Sequence, residues 1–448
     1  MLYEGQIKMK HQHNWKRKTS YLLASILFAS FVITPNALAA SSWQVVGGGG
    51  ISGGVVNNPS LALDSSGTPY IAYSDVNAAN GATVKKFDGS SWVTVGSAGF
   101  TSGQADFESL AVDGSGTPYV AYRDVANGTK TSVMKFDGSS WVIVGTVGIS
   151  AGASEFQSMA IDSSGTPYVY YRDLTIGAGE ATVKKFDGTS WVTVGSVGFS
   201  SAGVYYGSIA INSTGTPYVA YSDLNTSGNA TVMKFDGTSW VTVGNAEFTT
   251  GGTSYPSLAI DGSGTPYVAF VDQANGFRAA AMKFNGTSWV PVGGSVTSTQ
   301  ATYTSLAIRS DGTPYVAYYD NSQAGKASVR KFDGTSWQVV GSVGFTDNEA
   351  VSESLQIDRN GMLYLGFADN VTGQAMVMNY SDPAPVVVNS GGSSTVIANP
   401  VVSTVPKAPD TGYGSPSGSD KIALSLSVVA TVSIALGLAK VYKSRTTS

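Results

Sequence analysis

The sequence predicts an all-β fold, a seven-bladed β-propeller with four-stranded blades, and three observations lead to this prediction. A tryptophan recurs every 48 to 50 residues, at Trp43, Trp92, Trp141, Trp191, Trp240, Trp289 and Trp337. The unit around it repeats too, and residues 305–341 read SLAIRSDGTPYVAYYDNSQAGKASVRKFDGTSWQVVG. Its first segment occurs seven times, from SLALD to SLQID. A fixed period of this length, with four strand-like segments in each copy, is typical of a propeller.

Four segments of each copy predict strands because they combine β-branched and aromatic residues and are bounded by turn residues. In the first full copy these segments are Ser60 to Asp64, Thr68 to Asp75, Ala82 to Phe87 and Ser91 to Val95. The connections Ser65-Ser66-Gly67 and Asp88-Gly89-Ser90 have the length and composition of hairpin turns. We therefore expect one antiparallel sheet per copy.

The two ends of the repeat region predict how the ring closes. The last copy stops at Tyr380 without a tryptophan strand, whereas residues 42–47 (SWQVVG) have no copy of their own in front of them. We expect residues 42–47 to complete the seventh blade, because this splice leaves no long exposed edge between the first and last blades. An open stack of seven sheets is the alternative.

Composition limits what the predicted propeller domain, residues 40–380, can do. The chain has no cysteine, and its two histidines are His11 and His13, so no disulfide, thiolate metal site or cysteine nucleophile is available. Between residues 40 and 411 there are 17 basic and 28 acidic side chains, a net charge of about −11. Nucleic acid is not expected as a partner, because its binding requires a basic surface. The sequence predicts no cofactor and no metal site.

The first 39 residues predict a signal peptide. Lys8, Lys10, Lys16, Arg17 and Lys18 form a basic region, and the apolar run from Tyr21 to Val32 follows it. Ala37 and Ala39 form an A-x-A cleavage site. An N-terminal membrane anchor is the alternative, but a run of about twelve residues is too short to span a bilayer. We therefore expect export of the chain.

The C-terminal region predicts a spacer followed by a membrane helix. Residues 381–420 are rich in Pro, Ser, Gly, Thr and Val and lack the blade pattern. Residues 421–448 contain the apolar span Ile422 to Ala439 and then Lys440, Lys443 and Arg445. A span of this length followed by basic residues is typical of one transmembrane helix with a cytoplasmic tail.

The pentapeptide Ala408-Pro409-Asp410-Thr411-Gly412 precedes this span. With the span and the basic tail it resembles the cell-wall sorting signal of surface proteins that sortases attach. The resemblance implies cleavage between Thr411 and Gly412, peptidoglycan anchoring and a sortase as partner. The chain departs from the usual signal at Ala408, where leucine is common. A plain C-terminal membrane anchor is the alternative.

Loop lengths predict the working surface of the propeller. The connections between strands two and three, and those between blades, are long and differ from copy to copy, and they emerge on one face. On this face, aromatic side chains precede the serine that opens the inner strand, at Phe107, Phe156, Tyr206, Tyr255 and Tyr303. Together with Glu108, they are candidate glycan-binding residues at the mouth of the central channel. Packing between blades is the alternative explanation for the aromatic residues. The serines either hydrogen-bond sugar hydroxyls or are small because seven strands crowd at the axis.

Two charged residue types also recur. An aspartate ends the second strand of every blade, at Asp75, Asp124, Asp173, Asp223, Asp272, Asp320 and Asp369. These aspartates either gather cations or, as is common at turns, accept hydrogen bonds from their own loops. A lysine precedes the aromatic residue of strand three in six copies, at Lys86, Lys135, Lys185, Lys234, Lys283 and Lys331. Solvated or locally paired lysines are expected.

The repeat unit is similar to those of sialidase-type and other bacterial surface propellers, in which a strand, an Asp/Gly/Ser turn and an aromatic strand recur. The resemblance implies the fold alone, because residues 332–337 (FDGTSW) do not match the sialidase box and the equivalent arginines are only Arg123 and Arg172.

Three functions remain open for a monomeric, surface-displayed chain. The first is a non-catalytic binding module, an adhesin or lectin with a glycan or protein ligand. The second is a surface glycosidase or lyase that uses carboxylates such as Glu108 and Glu353. The third is a structural or docking platform. The absence of histidine and cysteine from the exported body favours the first.

Overall fold

A computed structural model describes residues 42–382, which form seven four-stranded antiparallel sheets. Blade 1 comprises β2 (Val56–Leu63), β3 (Pro69–Asp75), β4 (Gly81–Phe87) and β5 (Trp92–Thr94), and blade 2 comprises β6 (Ala105–Val112), β7 (Pro118–Asp124), β8 (Lys130–Phe136) and β9 (Trp141–Ile143). Blade 3 comprises β10 (Ser154–Ile161), β11 (Pro167–Asp173), β12 (Glu180–Phe186) and β13 (Trp191–Thr193), and blade 4 comprises β14 (Val204–Ile211), β15 (Pro217–Asp223), β16 (Asn229–Phe235) and β17 (Trp240–Thr242).

Blade 5 comprises β18 (Thr253–Ile260), β19 (Pro266–Asp272), β20 (Arg278–Phe284) and β21 (Trp289–Pro291), and blade 6 comprises β22 (Ala301–Ile308), β23 (Pro314–Asp320), β24 (Lys326–Phe332) and β25 (Trp337–Val339). Blade 7 comprises β26 (Ala350–Ile357), β27 (Met362–Asp369), β28 (Ala375–Ser381) and β1 (Gln44–Val45). Short 3-10 helices follow four of the second strands, at Val76–Ala78, Val125–Asn127, Leu224–Thr226 and Asn321–Gln323.

Blade 7 is built from both ends of the repeat region, as the sequence predicts. Strand β1 pairs with β28 in the register Gln44↔Asn379 and Val45↔Met378. The Val46 N–H extends the ladder by donating to the carbonyl of Val377 at 2.9 Å. This strand closes the ring and excludes the open stack.

The axis of the ring is held by one hydrogen bond per blade interface. The fifth residue of each inner strand is a serine, which we call the latch serine, and its Oγ accepts the backbone N–H of a residue in a neighbouring inner strand. The donor–serine pairs are Leu110–Ser60, Met159–Ser109, Ile209–Ser158, Leu258–Ser208, Leu306–Ser257, Leu355–Ser305 and Leu61–Ser354. The last pair joins blade 7 to blade 1. The serines therefore lock neighbouring blades together, as axial crowding predicts.

The tryptophans supply a second set of contacts between blades. Each indole N–H donates to a valine carbonyl of the preceding blade, at 2.7 to 3.0 Å. Trp43, Trp141, Trp240 and Trp289 also stack on a phenylalanine of the connection between blades, with ring centroids 4.0 to 4.5 Å apart. Five of the seven are buried, whereas Trp92 and Trp191 are half-buried. Burial of so much apolar surface, with the polar N–H satisfied, makes the tryptophans core residues.

The predicted bounds of strands two to four are accurate to within a residue, but the inner strands begin earlier than predicted. In blade 1 the pairing starts at Val56↔Asp75 rather than at Ser60, because a β-bulge between Asn57 and Ser60 interrupts the alternation of the strand. All seven inner strands carry this bulge.

Several predicted segments lie outside the described residues. They are the signal peptide with Ala37 and Ala39, the spacer from residue 383 onward, the sorting motif Ala408–Gly412, and the apolar span and basic tail of residues 421–448. Within residues 42–382 no helix has the length and apolar character needed to cross a membrane.

Candidate functional site

The face that carries the long connections between strands is the candidate site, and we call it the variable-loop face. Each inner strand enters from this face through its bulge, and the residue two positions before the latch serine adopts a left-handed backbone. The φ values are 49° to 57° at Asn58, Phe107, Phe156, Tyr206, Tyr255, Tyr303 and Ser352. Bulky residues rarely adopt this conformation, which costs roughly 1 kcal/mol or more, so the surrounding packing must hold it. Five of the residues that the sequence predicts to bind a ligand occupy these positions.

These five aromatic side chains form a continuous arc around the channel mouth, which we call the aromatic arc. Consecutive ring centroids, in the order Phe107, Phe156, Tyr206, Tyr255, Tyr303, are 5.2, 5.2, 4.6 and 4.7 Å apart. Phe107 and Tyr255 are buried, whereas the other three are half-buried. Because each ring packs on its neighbours, the arc is a continuous row of packed rings rather than five separate exposed side chains.

The tyrosine hydroxyls of the arc are hydrogen-bonded to one another. Tyr255 bonds with both Tyr206 and Tyr303. Burial is the main cause that raises the pKa of Tyr206 to about 12 and the pKa of Tyr255 well above its usual value. The arc is therefore uncharged and offers hydroxyl groups and aromatic edges.

A more accessible group lies where blades 3 and 4 meet, and we call it the Tyr205 cluster: Glu155, Phe156, Arg172, Tyr205 and Tyr206. The Tyr205 side chain is 39% exposed. The Arg172 guanidinium lies 4.5 Å from the Tyr205 ring centroid and pairs with Glu155 at 3.0 Å. Phe156 contacts Tyr205 edge-on at 6.1 Å. The cluster combines an aromatic ring with a carboxylate acceptor and a guanidinium donor.

Two features of the register place these groups together. Glu155 and Arg172 are direct partners across β10 and β11, so one faces the other on the same side of the sheet. Tyr205 occupies in blade 4 the position that Glu155 occupies in blade 3, three residues before the latch serine. Blade 2 has the related pair Arg123 and Asp106 at 3.3 Å. Both arginines stand out in the sequence because they break the strand-two repeat, whereas nothing in the sequence distinguishes Tyr205.

Glu108 is buried rather than displayed on the face. It lies one position before Ser109, and at this position the side chain points toward the preceding blade: Gln157 donates to Thr131 of blade 2 at 3.1 Å. Glu353 occupies the same position in blade 7 and is also buried. Burial raises the pKa of both carboxyls well above the usual 4.5, and the Asn58 side chain opposes this shift at Glu108. The two acids belong to different blade interfaces.

The rim aspartates serve their own loops. Asp75, Asp173, Asp223, Asp272, Asp320 and Asp369 each accept a backbone N–H two or three residues further on. Asp124 accepts the Asn127 side chain and the Ser132 hydroxyl instead, both at 2.8 Å. Over residues 42–382, no three acidic or histidine side chains come together to hold a metal ion. The loop-capping prediction for this set is confirmed.

Exposed apolar side chains are also concentrated on the variable-loop face. They are Val55, Val76, Val147, Leu174, Val197, Tyr205, Phe277, Val343 and Val371, with exposures of 38% to 71%. Phe277, in the connection between β19 and β20, is 47% exposed. It is thus an exposed aromatic side chain on the same face as the Tyr205 cluster but outside it.

Solved structures with a similar fold include carbohydrate-active and carbohydrate-binding propellers. A polysaccharide lyase, an ulvan lyase, aligns with a TM-score of 0.50 and 14% identity, covering 74% of this chain and 95% of the lyase. The Aleuria aurantia lectin in complex with α-methyl-L-fucoside gives 0.45 and 15%, covering 67% and 95%. An α-L-arabinanase of Penicillium chrysogenum gives 0.45 and 12%, covering 76% and 98%. The likeness is one of fold. No protein-family profile and no curated protein matches the chain.

Proposed function

We propose that the chain is a non-catalytic binding module whose variable-loop face binds glycans at the Tyr205 cluster. The observation that carries the proposal is the exposed Tyr205 ring beside the Arg172–Glu155 pair. An aromatic ring provides a flat apolar surface for the C–H face of a sugar, while the carboxylate and guanidinium provide an acceptor and donors for its hydroxyls. The rigid blades fix all three groups in place before binding.

Carboxylate chemistry is the less favoured function. Glu108 and Glu353, the acids proposed for it, are buried in separate blade interfaces. Three of the acids on the face are each bound by a neighbour: Asp106 by Arg123, Glu155 by Arg172 and Glu349 by Asn370. A glycosidase needs two carboxyls facing one scissile bond at about 5 to 10 Å.

The test is a glycan-array screen of the full chain with Tyr205→Ala and Phe277→Ala variants. Phe277→Ala is the matched control, because it removes an exposed aromatic ring from the same face without the arginine and glutamate. We expect Tyr205→Ala to weaken the binding of any glycan found in the screen at least about tenfold, because truncating an aromatic residue at the centre of a binding site usually has an effect of this size. Phe277→Ala retains binding. Equal loss in both variants, or no hit with the fold intact, contradicts the proposal.

A protein ligand is the second candidate, and the apolar rim of the variable-loop face favours it. This rim consists of nine exposed apolar side chains, and exposed apolar surface is common at protein interaction sites. A partner that binds the chain at this face, with affinity reduced by Val147→Ser and Val197→Ser and unaffected by free sugars, would support it.

We also propose export and attachment to the cell surface, which rest on the N-terminal basic and apolar segments and on Ala408–Gly412 with its apolar span. The test is fractionation of the producing cells. The wild-type chain should be released by peptidoglycan hydrolase, whereas Thr411→Ala should stay with the membrane. Equal distribution of the two chains would contradict sorting and favour a plain membrane anchor.

A further inference from the structure

The seventh blade lacks a connection that the other six possess. In blades 1 to 6 a turn of the type Asp/Asn-Gly joins strand three to strand four. In blade 7, strand three is β28, which ends at Ser381, and strand four is β1, from the other end of the chain. The end of β28 therefore has no hairpin to hold it.

The residue that follows β28 is bound by blade 6. The Asp382 carboxylate accepts hydrogen bonds from Lys331 Nζ at 2.7 and 2.9 Å, from the Tyr315 hydroxyl at 2.6 Å and from Arg309 Nη1 at 3.3 Å. Its side chain is 5% exposed. An ionised carboxylate is stable at such burial only when cations and donors surround it, as they do here.

The lysine and the tyrosine belong to the common repeat, so the crevice of blade 6 has counterparts in other blades. Tyr315 and Lys331 are cross-strand partners, as are Tyr119 and Lys135, Tyr168 and Lys185, and Tyr267 and Lys283. In those three blades the lysine lies 5.9 to 6.0 Å from the tyrosine ring, and within residues 42–382 it has no carboxylate at ion-pair distance. In blade 2, Lys135 lines an open crevice of about 340 Å³.

Arg309 is what sets blade 6 apart. The residue after the inner strand is Asp64, Asp113, Asp162, Asn212, Asp261 or Asp358 in the other blades. There it accepts backbone N–H groups of its own turn, as Asp113 does from Ser115 and Thr117. In blade 6 Asp311 takes over this task by accepting the Thr313 N–H at 2.9 Å. An aspartate at position 309 would stand beside Asp382 and repel it, whereas Arg309 attracts it.

We propose that this crevice of blade 6 is a carboxylate-binding site whose resident ligand is the Asp382 side chain. The contact holds the free end of β28, as a hairpin turn does in the other blades, and ties blade 7 to blade 6. It lies on the face of the short turns, opposite the variable-loop face. Asp382 therefore lies on the side away from the Tyr205 cluster. The carboxylate-binding site does not depend on the proposed function.

Hydrogen exchange of the full chain tests the proposal. We expect Asp382→Ala to lower the melting temperature and to speed amide exchange in residues 375–381 at least about tenfold, because the loss of the carboxylate leaves Lys331 without its ion pair, while Arg309 keeps its pair with Asp311 at 2.6 Å. Exchange in blades 2 to 5 stays unchanged. Asp382→Asn, which keeps an acceptor of the same shape, gives a smaller effect of the same kind.

Two further variants make the test specific. Lys331→Met should reproduce the effect, whereas Lys283→Met, at the same position of blade 5, should not. For Asp382→Ala, sodium acetate at matched ionic strength should raise the melting temperature relative to sodium chloride, and the Asp382→Ala/Lys331→Met double variant should lose this response. Unchanged exchange in Asp382→Ala, equal effects of the two lysine variants, or no acetate response would each overturn the proposal.

Discussion

The residue that precedes each latch serine shows how tightly neighbouring blades are matched. Opposite the latch serine of the same blade, strand two carries a small residue in six blades, Ala72, Ala121, Ala220, Ala269, Ala317 or Gly366. Blade 3 has Tyr170 there, fully buried, and the residue facing it in blade 4 is Gly207. A β-carbon built on Gly207 would lie 1.7 Å from Cε1 of Tyr170. At this interface the large residue, Tyr170, is in strand two of blade 3 and the small one, Gly207, is in the inner strand of blade 4. At the other interfaces the small residue is in strand two.

We predict that Gly207→Ala destabilises the chain by about 2 to 3 kcal/mol through overpacking. In a Tyr170→Ala background the same change should be nearly neutral, because the cavity left by the ring accepts the methyl group. A double-mutant cycle from urea unfolding measures the coupling. Gly114→Ala, which meets no atom within 4 Å, is the control. Additive effects of the two substitutions would disprove the pairing.

Glu353 gives a pH prediction at the same scale. Burial holds its pKa in the folded chain well above the 4.5 of the unfolded chain. The folded chain therefore binds the proton more tightly, and stability is lost as pH rises from about 4.5 toward the folded pKa, with a slope of up to about 1.4 kcal/mol per pH unit. Glu353→Gln should remove this slope.

Urea midpoints between about pH 4 and 8 test the Glu353 prediction. The difference between wild type and Glu353→Gln should grow in favour of the variant as pH rises. Gly114→Ala, which changes no titratable group and meets no atom within 4 Å, is the control and should show no such trend. A difference that is constant over this range would mean that Glu353 does not titrate differently in the folded chain.

At the scale of elements, the turn between strands three and four is a self-contained unit repeated in six blades. Its first residue accepts two backbone N–H groups through one side-chain oxygen, as Asp137 does from Ser139 and Ser140. These bonds lower the pKa of Asp137 to about 2. Blade 5 has Asn285 in this position, with equivalent bonds at 3.0 and 2.9 Å. The turn therefore forms with a neutral oxygen acceptor as well as with a charged one.

We predict that Asp137→Asn lowers the melting temperature at neutral pH less than Asp137→Ala does, because the amide oxygen keeps the two turn bonds that Asn285 makes in blade 5. The pKa in the folded chain is below the unfolded 3.8, so the contribution of Asp137 is present above 3.8 and lost as pH falls toward 2. Asp137→Asn should lose less stability than wild type over this acid range. Thermal melts of wild type and Asp137→Asn from about pH 2 to 7 test this prediction. An equal loss of stability in acid for the two chains would refute it.

The elements also show which features sequence reasoning reaches. Strands two to four were predictable because Pro69, Asp88 and Trp92 and their counterparts mark turns and edges at a fixed period. The bulge was not, because Phe107 and Tyr206 give no sign that they adopt a left-handed backbone. The binding of Asp382 was hidden for another reason: its partners Lys331 and Arg309 are 51 and 73 residues away and resemble ordinary surface residues.

At the scale of the whole molecule, ring closure determines how the last blade is held and how rigid the variable-loop face is. The latch of Leu61 on Ser354, the indole of Trp43 on the Val340 carbonyl and the strand β1 all join the last blade to its neighbours. A closed ring leaves no long free edge and keeps the variable-loop face rigid. The glycan proposal depends on this rigidity, because the Tyr205 cluster is assembled from two blades.

Engineered cross-linking tests ring closure most directly. The chain has no cysteine, so Gln44→Cys combined with Asn379→Cys places one thiol on each of two residues that are direct partners across β1 and β28. Cα atoms of such partners lie about 5.5 Å apart, within reach of a disulfide. As a control, Gln44→Cys is combined with Thr242→Cys, which lies in the outer strand of blade 4. Closure predicts rapid disulfide formation within one chain for the first pair and none for the second. Failure of the first pair to cross-link in the monomer, or cross-linking between chains instead, would contradict the closed ring.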